Sequence, residues 1–371
     1  MIDLESELRK HTAFSTDQAV FWLGSPADFD MQPSYPKSSS LSEHVNTFGQ
    51  YLLRKYGERV HKLAINAGFT CPNRDGAKGR GGCTFCNNAS FNPNARRPGL
   101  VSEQIESGRA VLAKRTGARR FLAYFQAYTN TYAELEELRR LYAEALSCQG
   151  VIGLSVGTRP DCVSGEVLDL LAGYQEQGLE VWLELGLQSA NDQTLERVNR
   201  GHGFSDYRAA VEAAHRRHLP VCTHLMLGLP GERARAALES LGQVLALGVE
   251  GLKLHPLHVV RQTRLARTWR QGQYRPLTMS AYVDLVADCV ERTPASVLFH
   301  RLTGTASPDL LLAPAWCSRK WAVLNAITQE LGRRRTRQGT QCEVHGWPLD
   351  REAVTLPSGA TPVRARVRRH R

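Results

Sequence analysis

No apolar run in this 371-residue chain approaches the ~20 residues that a membrane-spanning helix needs, so no span is expected. The opening Met-Ile-Asp-Leu-Glu-Ser-Glu-Leu-Arg and the residues after it mix charge with apolar groups. They offer no continuous apolar segment, which argues against a secretory leader. A disulfide framework is missing too. The nine cysteines are an odd number, and Cys148, Cys162, Cys222, Cys289, Cys317 and Cys342 are scattered, as expected for a reducing cytoplasm. Cys222 lies in the apolar run Val-Cys-Thr-His-Leu-Met-Leu and Cys289 on an amphipathic pattern, so both read as small core residues. No repeat longer than a strand–helix alternation is present.

What is there suits a soluble globular chain: 42% hydrophobic and 22% charged residues, with ample length for a core. The net charge of +11 is uneven, because from Leu331 onward ten arginines face three acids, +7 in the last segment and +4 in all the rest. Such a tail is the electrostatic footprint of a polyanion partner, and equally that of a solvated, disordered end.

Residues 1–44 read as a partly disordered extension, Ser- and Pro-rich from Gly24 to Ser42. A helix is expected over Thr47–Tyr56. Short apolar runs then predict strands at Lys62–Asn66, Phe121–Gln126, Ile152–Val156, Val181–Leu187, Val221–Leu227 and Leu252–Leu257. Between them lie helical patterns, among them Tyr132–Leu146 and Asp192–Val198, the latter with Asn191 as N-cap. Six strands alternating with helices place the chain in the α/β class. A doubly wound sheet is one solution. Polar segments after nearly every strand favour a partial (β/α)6 TIM-like barrel over residues 45–292. Residues 293–330 then form a C-terminal capping segment with a helix, and 331–371 a basic Arg-rich tail.

Chemistry in such a barrel gathers at the C-terminal strand ends. The first strand is followed by Cys71-Pro-Asn-Arg-Asp-Gly-Ala-Lys-Gly-Arg-Gly-Gly-Cys83-Thr-Phe85-Cys86, three cysteines separated by eleven and then two residues. Three thiolates on a four-iron cluster leave one iron open to a non-protein ligand, and S-adenosylmethionine (SAM) on that iron is the basis of radical chemistry. A zinc site or three unrelated thiols remain open readings, although structural zinc asks for four ligands. Phe85 could lie against an adenine, and the glycines let the backbone wrap a compact cofactor.

Later strand ends carry Gln126-Ala-Tyr128-Thr129-Asn130, Gly157-Thr-Arg159-Pro-Asp161, Gln188-Ser189, Gly228-Leu229-Pro-Gly-Glu232 and His255-Pro-Leu-His258. Glu184 interrupts an apolar run, so its carboxylate needs a partner. The ribose hydroxyls of a bound nucleoside or a neighbouring Lys or Arg would serve, and the shared barrel end favours the nucleoside. Arg159 and Arg200 are candidates for gripping a carboxylate such as that of SAM, with surface ion pairs as the alternative. Gly228 and Leu229 could turn backbone amides toward a ligand, or form a plain strand–helix turn. Lys253, His255 and His258 could face a substrate. Tyr128, Tyr132 and Cys317 are conceivable donors to a substrate radical.

At these residues the chain resembles the radical SAM superfamily, and within it the YhcC-type subfamily related to the catalytic subunit of Elongator. The likeness is carried by Asn66-Ala-Gly-Phe-Thr-Cys71-Pro-Asn-Arg-Asp-Gly, Gly82-Cys-Thr-Phe-Cys86-Asn-Asn, Phe125-Gln-Ala-Tyr-Thr-Asn-Thr-Tyr132 and Gly153-Leu-Ser-Val-Gly-Thr-Arg-Pro-Asp-Cys162. It continues through Trp182-Leu-Glu-Leu-Gly-Leu-Gln-Ser189, Arg197-Val-Asn-Arg-Gly-His202, Thr223-His-Leu-Met-Leu-Gly-Leu-Pro-Gly-Glu232 and Leu252-Lys-Leu-His-Pro-Leu-His-Val-Val260. The resemblance implies a [4Fe-4S] cluster on Cys71, Cys83 and Cys86. It implies SAM within reach of Phe85, Gln126, Thr129, Arg159, Glu184, Gln188, Arg200, Gly228, Leu229 and His255, cleaved to a 5′-deoxyadenosyl radical. It also implies a reductant such as flavodoxin or ferredoxin, and a tRNA substrate modified on the C5 side chain of the wobble uridine. A small-molecule or protein substrate is the alternative, as is a non-catalytic, metal-stabilised RNA-binding module. No acetyltransferase segment follows the barrel, so acetyl transfer is not carried over.

Overall fold

The computed structural model describes residues 40–92, 94 and 99–342. Most of the N-terminal extension and of the basic tail lies outside these residues, and with them the expected disorder of the first and the RNA role of the second.

Seven parallel strands form one curled sheet: β1 (Val60–Ile65), β2 (Arg120–Phe125), β3 (Val151–Thr158), β4 (Glu180–Gln188), β5 (Val221–Leu227), β6 (Gly251–Pro256) and β8 (Leu298–Arg301), adjacent in that order. A separate antiparallel pair joins β7 (Val259–Val260) to β9 (Leu311–Ala313). Helices between successive strands cover one face, and their apolar stripes pack on Ile65, Phe121, Leu154, Leu183, Val221 and Leu252. Burial on both sides explains the unbroken apolar runs. Asn191 is the N-cap expected, accepting from the Thr194 amide, and Thr47, expected within its helix, caps it instead, accepting from the Gln50 amide.

The period of two along the strands sorts the inward face into tiers. The lowest tier is apolar: Val60, Leu122, Ile152, Trp182, Cys222 and Leu298, plugged by Phe48 and Leu52 of the helix Phe48–Tyr56. Two residues further along the strands the tier is polar, with Lys62, Tyr124, Glu184, His224, Lys253 and His300. Above it opens a cavity.

Two expectations need correction. The barrel does not end at 292. Residues 298–301 add a seventh strand, too short and too polar (Leu-Phe-His-Arg) to stand out as an apolar run. The tail does not begin as a solvated run at 331 either. The helix Lys320–Arg333 includes Leu331 to Arg333, Arg333 pairs with Glu330, and Arg334 reaches Asp288 at 2.6 Å on the helix Met279–Arg292.

Candidate active site

The cysteine loop is pinned at both ends. Cys71 caps a single helical turn, Pro72–Asp75, its carbonyl accepting from the Arg74 amide at 2.7 Å. Gly82, at φ +74°, reaches back to donate to the Asn73 carbonyl at 2.8 Å, a left-handed turn that suits glycine. The Thr84 amide donates to the Val198 carbonyl, and Asn199 Nδ2 donates to the Gly82 carbonyl, so the loop is stitched to the segment after β4. Buried Asn73 completes the join, donating to the Asn199 carbonyl at 2.6 Å.

Cys71, Cys83 and Cys86 line one cavity of about 210 Å³ that opens to solvent, together with Phe85, Gln126, Tyr128, Thr129, Gln188, His224, His255, His258 and Arg301. Donors converge on the sulfurs: Arg200 Nη1 lies 3.4 Å and Asn73 Nδ2 3.7 Å from Cys83 Sγ, and Asn88 Nδ2 lies 3.9 Å from Cys86 Sγ. Burial and then Cys83 push the Cys86 thiol up, while Arg74 and Arg200 pull it down. A metal that deprotonates it would settle the balance. Among the described residues no three His, Cys, Asp or Glu side chains converge on a point that suits a single ion. The three thiols line one cavity, as a cluster in which each thiolate takes its own iron requires, whereas structural zinc asks for a fourth ligand.

Opposite the thiols sits the polar tier. Glu184 has no exposed surface, and its carboxylate accepts from Lys62 Nζ at 2.5 Å, Ser155 Oγ at 2.5 Å, His224 Nε2 at 2.8 Å and Lys253 Nζ. Burial pushes its pKa up, but Lys253, Lys62 and the two histidines outweigh burial and hold it well below the carboxylate range. The nucleoside partner favoured from sequence is therefore not needed: Lys62 of β1 and Lys253 of β6 reach the acid across the curl of the sheet and satisfy it. With Lys62 already on the same carboxylate, burial pulls Lys253 down to about 7. Burial likewise holds His224 and His258 at about 4 and His255 well below its ordinary value, so this wall presents neutral imidazoles.

Arg159 and Arg200 reach the cavity, but not as open grips for a carboxylate. Arg159 Nε and Nη2 each donate to Asp161 at 2.9 Å, and its Nη1 donates to the Arg200 carbonyl. Arg200 Nη2 donates to the Gly186 carbonyl at 2.6 Å. Arg200 braces the cysteine loop at Cys83 and Arg159 braces Arg200, and of their nitrogens Arg200 Nε is buried without a partner among the described residues. Gly228 and Leu229 do not line the cavity. Gly228 takes a left-handed turn (φ +89°) whose carbonyl accepts from Tyr274, and Leu229 packs with Val198 and Leu257. Phe85 lines the cavity and packs against the same cluster. Gln126, Thr129, Gln188 and His255 line it, and the Thr129 hydroxyl is fully buried with no partner among the described residues. Asn73, Arg74, His224 and Arg301 went unread in the sequence. Asn73 lay in plain view two residues after Cys71, whereas Arg301 sits at the end of the strand that the apolar pattern missed.

Residues 68–242 match the family model for the radical SAM superfamily, and 249–333 that for the radical SAM C-terminal domain. Protein YhcC of Escherichia coli (strain K12) is 47% identical over 308 residues, covering 83% of this chain and 97% of that protein. A tRNA uridine(34) acetyltransferase of Dehalococcoides mccartyi is 32% identical over 155 residues, 41% of this chain and 33% of that one. Among solved structures, the archaeal Methanocaldococcus infernus Elp3 with an N-terminal deletion shares the fold with a TM-score of 0.55 at 18% identity, over 75% of this chain and 64% of that one. No helix among the described residues is long and apolar enough to cross a membrane. The three-thiol cavity at the strand ends of a seven-stranded half-barrel thus belongs to a radical SAM enzyme of the YhcC group, distantly similar to Elongator Elp3, a family that works with a [4Fe-4S] cluster and SAM.

Proposed function

We propose that this enzyme acts on the C5 side chain of a tRNA wobble uridine, with Cys71, Cys83 and Cys86 holding the cluster. The observation that carries the reading is one open-mouthed cavity lined both by the three thiols and by neutral imidazoles. Its likeness over 155 residues to an enzyme named for tRNA uridine(34) supports the choice of substrate. When bound, the cluster and SAM supply a 5′-deoxyadenosyl radical that abstracts hydrogen. The protein's own groups do the rest. Thr129, Gln126 and Gln188 offer polar contacts to SAM, and Arg200 and Asn73 steady the Cys83 sulfur. His255, with neither ring nitrogen hydrogen-bonded among the described residues, can take a proton or donate one hydrogen bond to a base edge. A uridine must leave its stack to enter, which favours a loop such as the anticodon's. The electron comes from a reductant such as flavodoxin or ferredoxin.

The test is anaerobic incubation of reconstituted protein with SAM, dithionite and tRNA, followed by mass spectrometry of the tRNA nucleosides. We expect 5′-deoxyadenosine and a uridine of altered mass, and neither with Cys83→Ala, whose iron and sulfide content falls. Deoxyadenosine release with unaltered tRNA, together with identical nucleoside profiles from cells with and without the gene, would assign the chemistry to a small-molecule or protein substrate instead.

A further inference from the structure

From Gly251 to Val283 the chain contains five arginines and one lysine and no acid at all. The helix Arg264–Arg270 lies in this stretch. Its inner face, Leu265 and Ala266 with Trp269 beside them, packs with Phe85 of the cysteine loop, Val198 and Leu257. Two bonds clamp it there: the Leu265 amide donates to the Thr84 carbonyl, and Arg264 Nη2 to the Gly82 carbonyl, each at 2.8 Å. The helix therefore leans on the rim of the cavity that holds the thiols.

Its outer face is charged in one sense. Arg264, Arg267 and Arg270 recur every third residue, flanked by Arg261 and Arg275, and all five are exposed. Arg261 and Arg264 bond only to backbone carbonyls, and the side chains of Arg267, Arg270 and Arg275 have no hydrogen bond or ion pair among the described residues. Other helices of the protein carry paired arginines. Arg109, Arg140 and Arg333 each pair with a glutamate one turn earlier on their own helices. Like charges three residues apart weaken a helix, and Arg264 in the first turn opposes the helix dipole that Arg267 and Arg270 in the last turn complement. A seven-residue helix that keeps this arrangement beside an active site is suited to a polyanion that neutralises it.

We propose that this arginine face is the surface on which RNA phosphates dock, delivering the reacting nucleoside over the rim into the cavity. The identity of the nucleic acid rests on the tRNA reading above; the location of the surface does not. A bilayer fits less well, because the helix turns its apolar residues inward and offers lipid only charge.

The experiment compares the wild-type protein with the triple variant Arg267→Ser, Arg270→Ser, Arg275→Ser, which leaves Arg264 and its bond to the loop intact. A second triple variant, Arg59→Ser, Arg119→Ser, Arg216→Ser, removes the same charge from exposed positions before β1, β2 and β5, at the other end of the strands. Affinity for bulk tRNA, for an unrelated RNA hairpin and for phosphatidylserine vesicles is measured across a salt series, with thermal melting to confirm folding. The rim variant should bind both RNAs at least tenfold more weakly, its salt slope smaller by about 2–3 for three lost phosphate contacts, while the other variant changes little. Equal losses in both triples, an unchanged rim variant, or wild-type protein that holds vesicles but no RNA would overturn the proposal. If the rim variant loses RNA while tRNA nucleosides prove to be no substrate, the surface stands and the uridine reading falls. If the rim variant binds normally and the nucleosides still change, the reverse holds.

Discussion

The Thr129 hydroxyl is fully buried at the cavity wall with no partner among the described residues, an arrangement that costs about 1–3 kcal/mol. Thr129→Val keeps the shape and removes the unsatisfied group. We expect a ligand-free protein that is slightly more stable, by about 1 kcal/mol in urea unfolding, and binds SAM at least fivefold more weakly. Unaltered SAM affinity by equilibrium dialysis would make the hydroxyl a structural accident. Glu184 is the opposite case, a group saturated from within. Glu184→Gln strands Lys62 and Lys253 in the barrel interior and should destabilise by about 3–5 kcal/mol. Because its folded pKa lies below its unfolded one, the contribution is whole above about pH 4.5 and fades as pH falls through the folded value. The wild-type and Glu184→Gln stabilities should therefore converge in strong acid. A constant gap down to pH 2 would contradict the ion-pair account.

At the scale of elements, legibility followed burial. β5 was readable to the residue, and the other five expected strands to within two residues at either end, because parallel strands covered on both faces leave continuous apolar runs. β8 escaped because four residues ending in His300-Arg301 show no such run; its pairing with β6 is a tertiary fact. The cysteine loop was legible as a motif, whereas the partners of Arg159, Arg200 and Glu184 were not. Which acceptors an arginine meets depends on strands and loops up to more than a hundred residues apart in sequence, as with Arg200 and Cys83. Some constraints that looked incidental prove structural. Gly153 of β3 faces the Glu180 backbone of β4 so closely that an added Cβ would sit inside the contact distance of the carbonyl oxygen. Gly153→Ala should cost about 1–3 kcal/mol, read by urea unfolding, and loosen the register that puts Ser155 against Glu184. Full stability in this variant would mean that β3 and β4 separate more easily than their ladder suggests.

Across the whole molecule, the apolar tier closed by the helix Phe48–Tyr56 carries a polar tier, which in turn floors the cavity, so folding and catalysis share one set of buried titratable groups. This sharing sets the pH range of the fold. Burial holds His224 and His258 at about 4 in the folded protein, against about 6.5 in the unfolded chain. Between those values the unfolded chain takes up protons that the folded one refuses. Stability is therefore complete above about pH 6.5 and declines on acidification until it levels off near pH 4. Each histidine contributes a slope of up to about 1.4 kcal/mol per pH unit. For a protein of this size the Tm at pH 5 should lie about 5–10 °C below that at pH 7. His258→Gln, whose amide keeps a donor near the place of Nε2 for the Gly304 carbonyl without titrating, should recover part of the difference. Equal Tm values at the two pH values would show that the imidazoles are reached by water and proton alike, and the neutral wall assigned to the cavity would go with them.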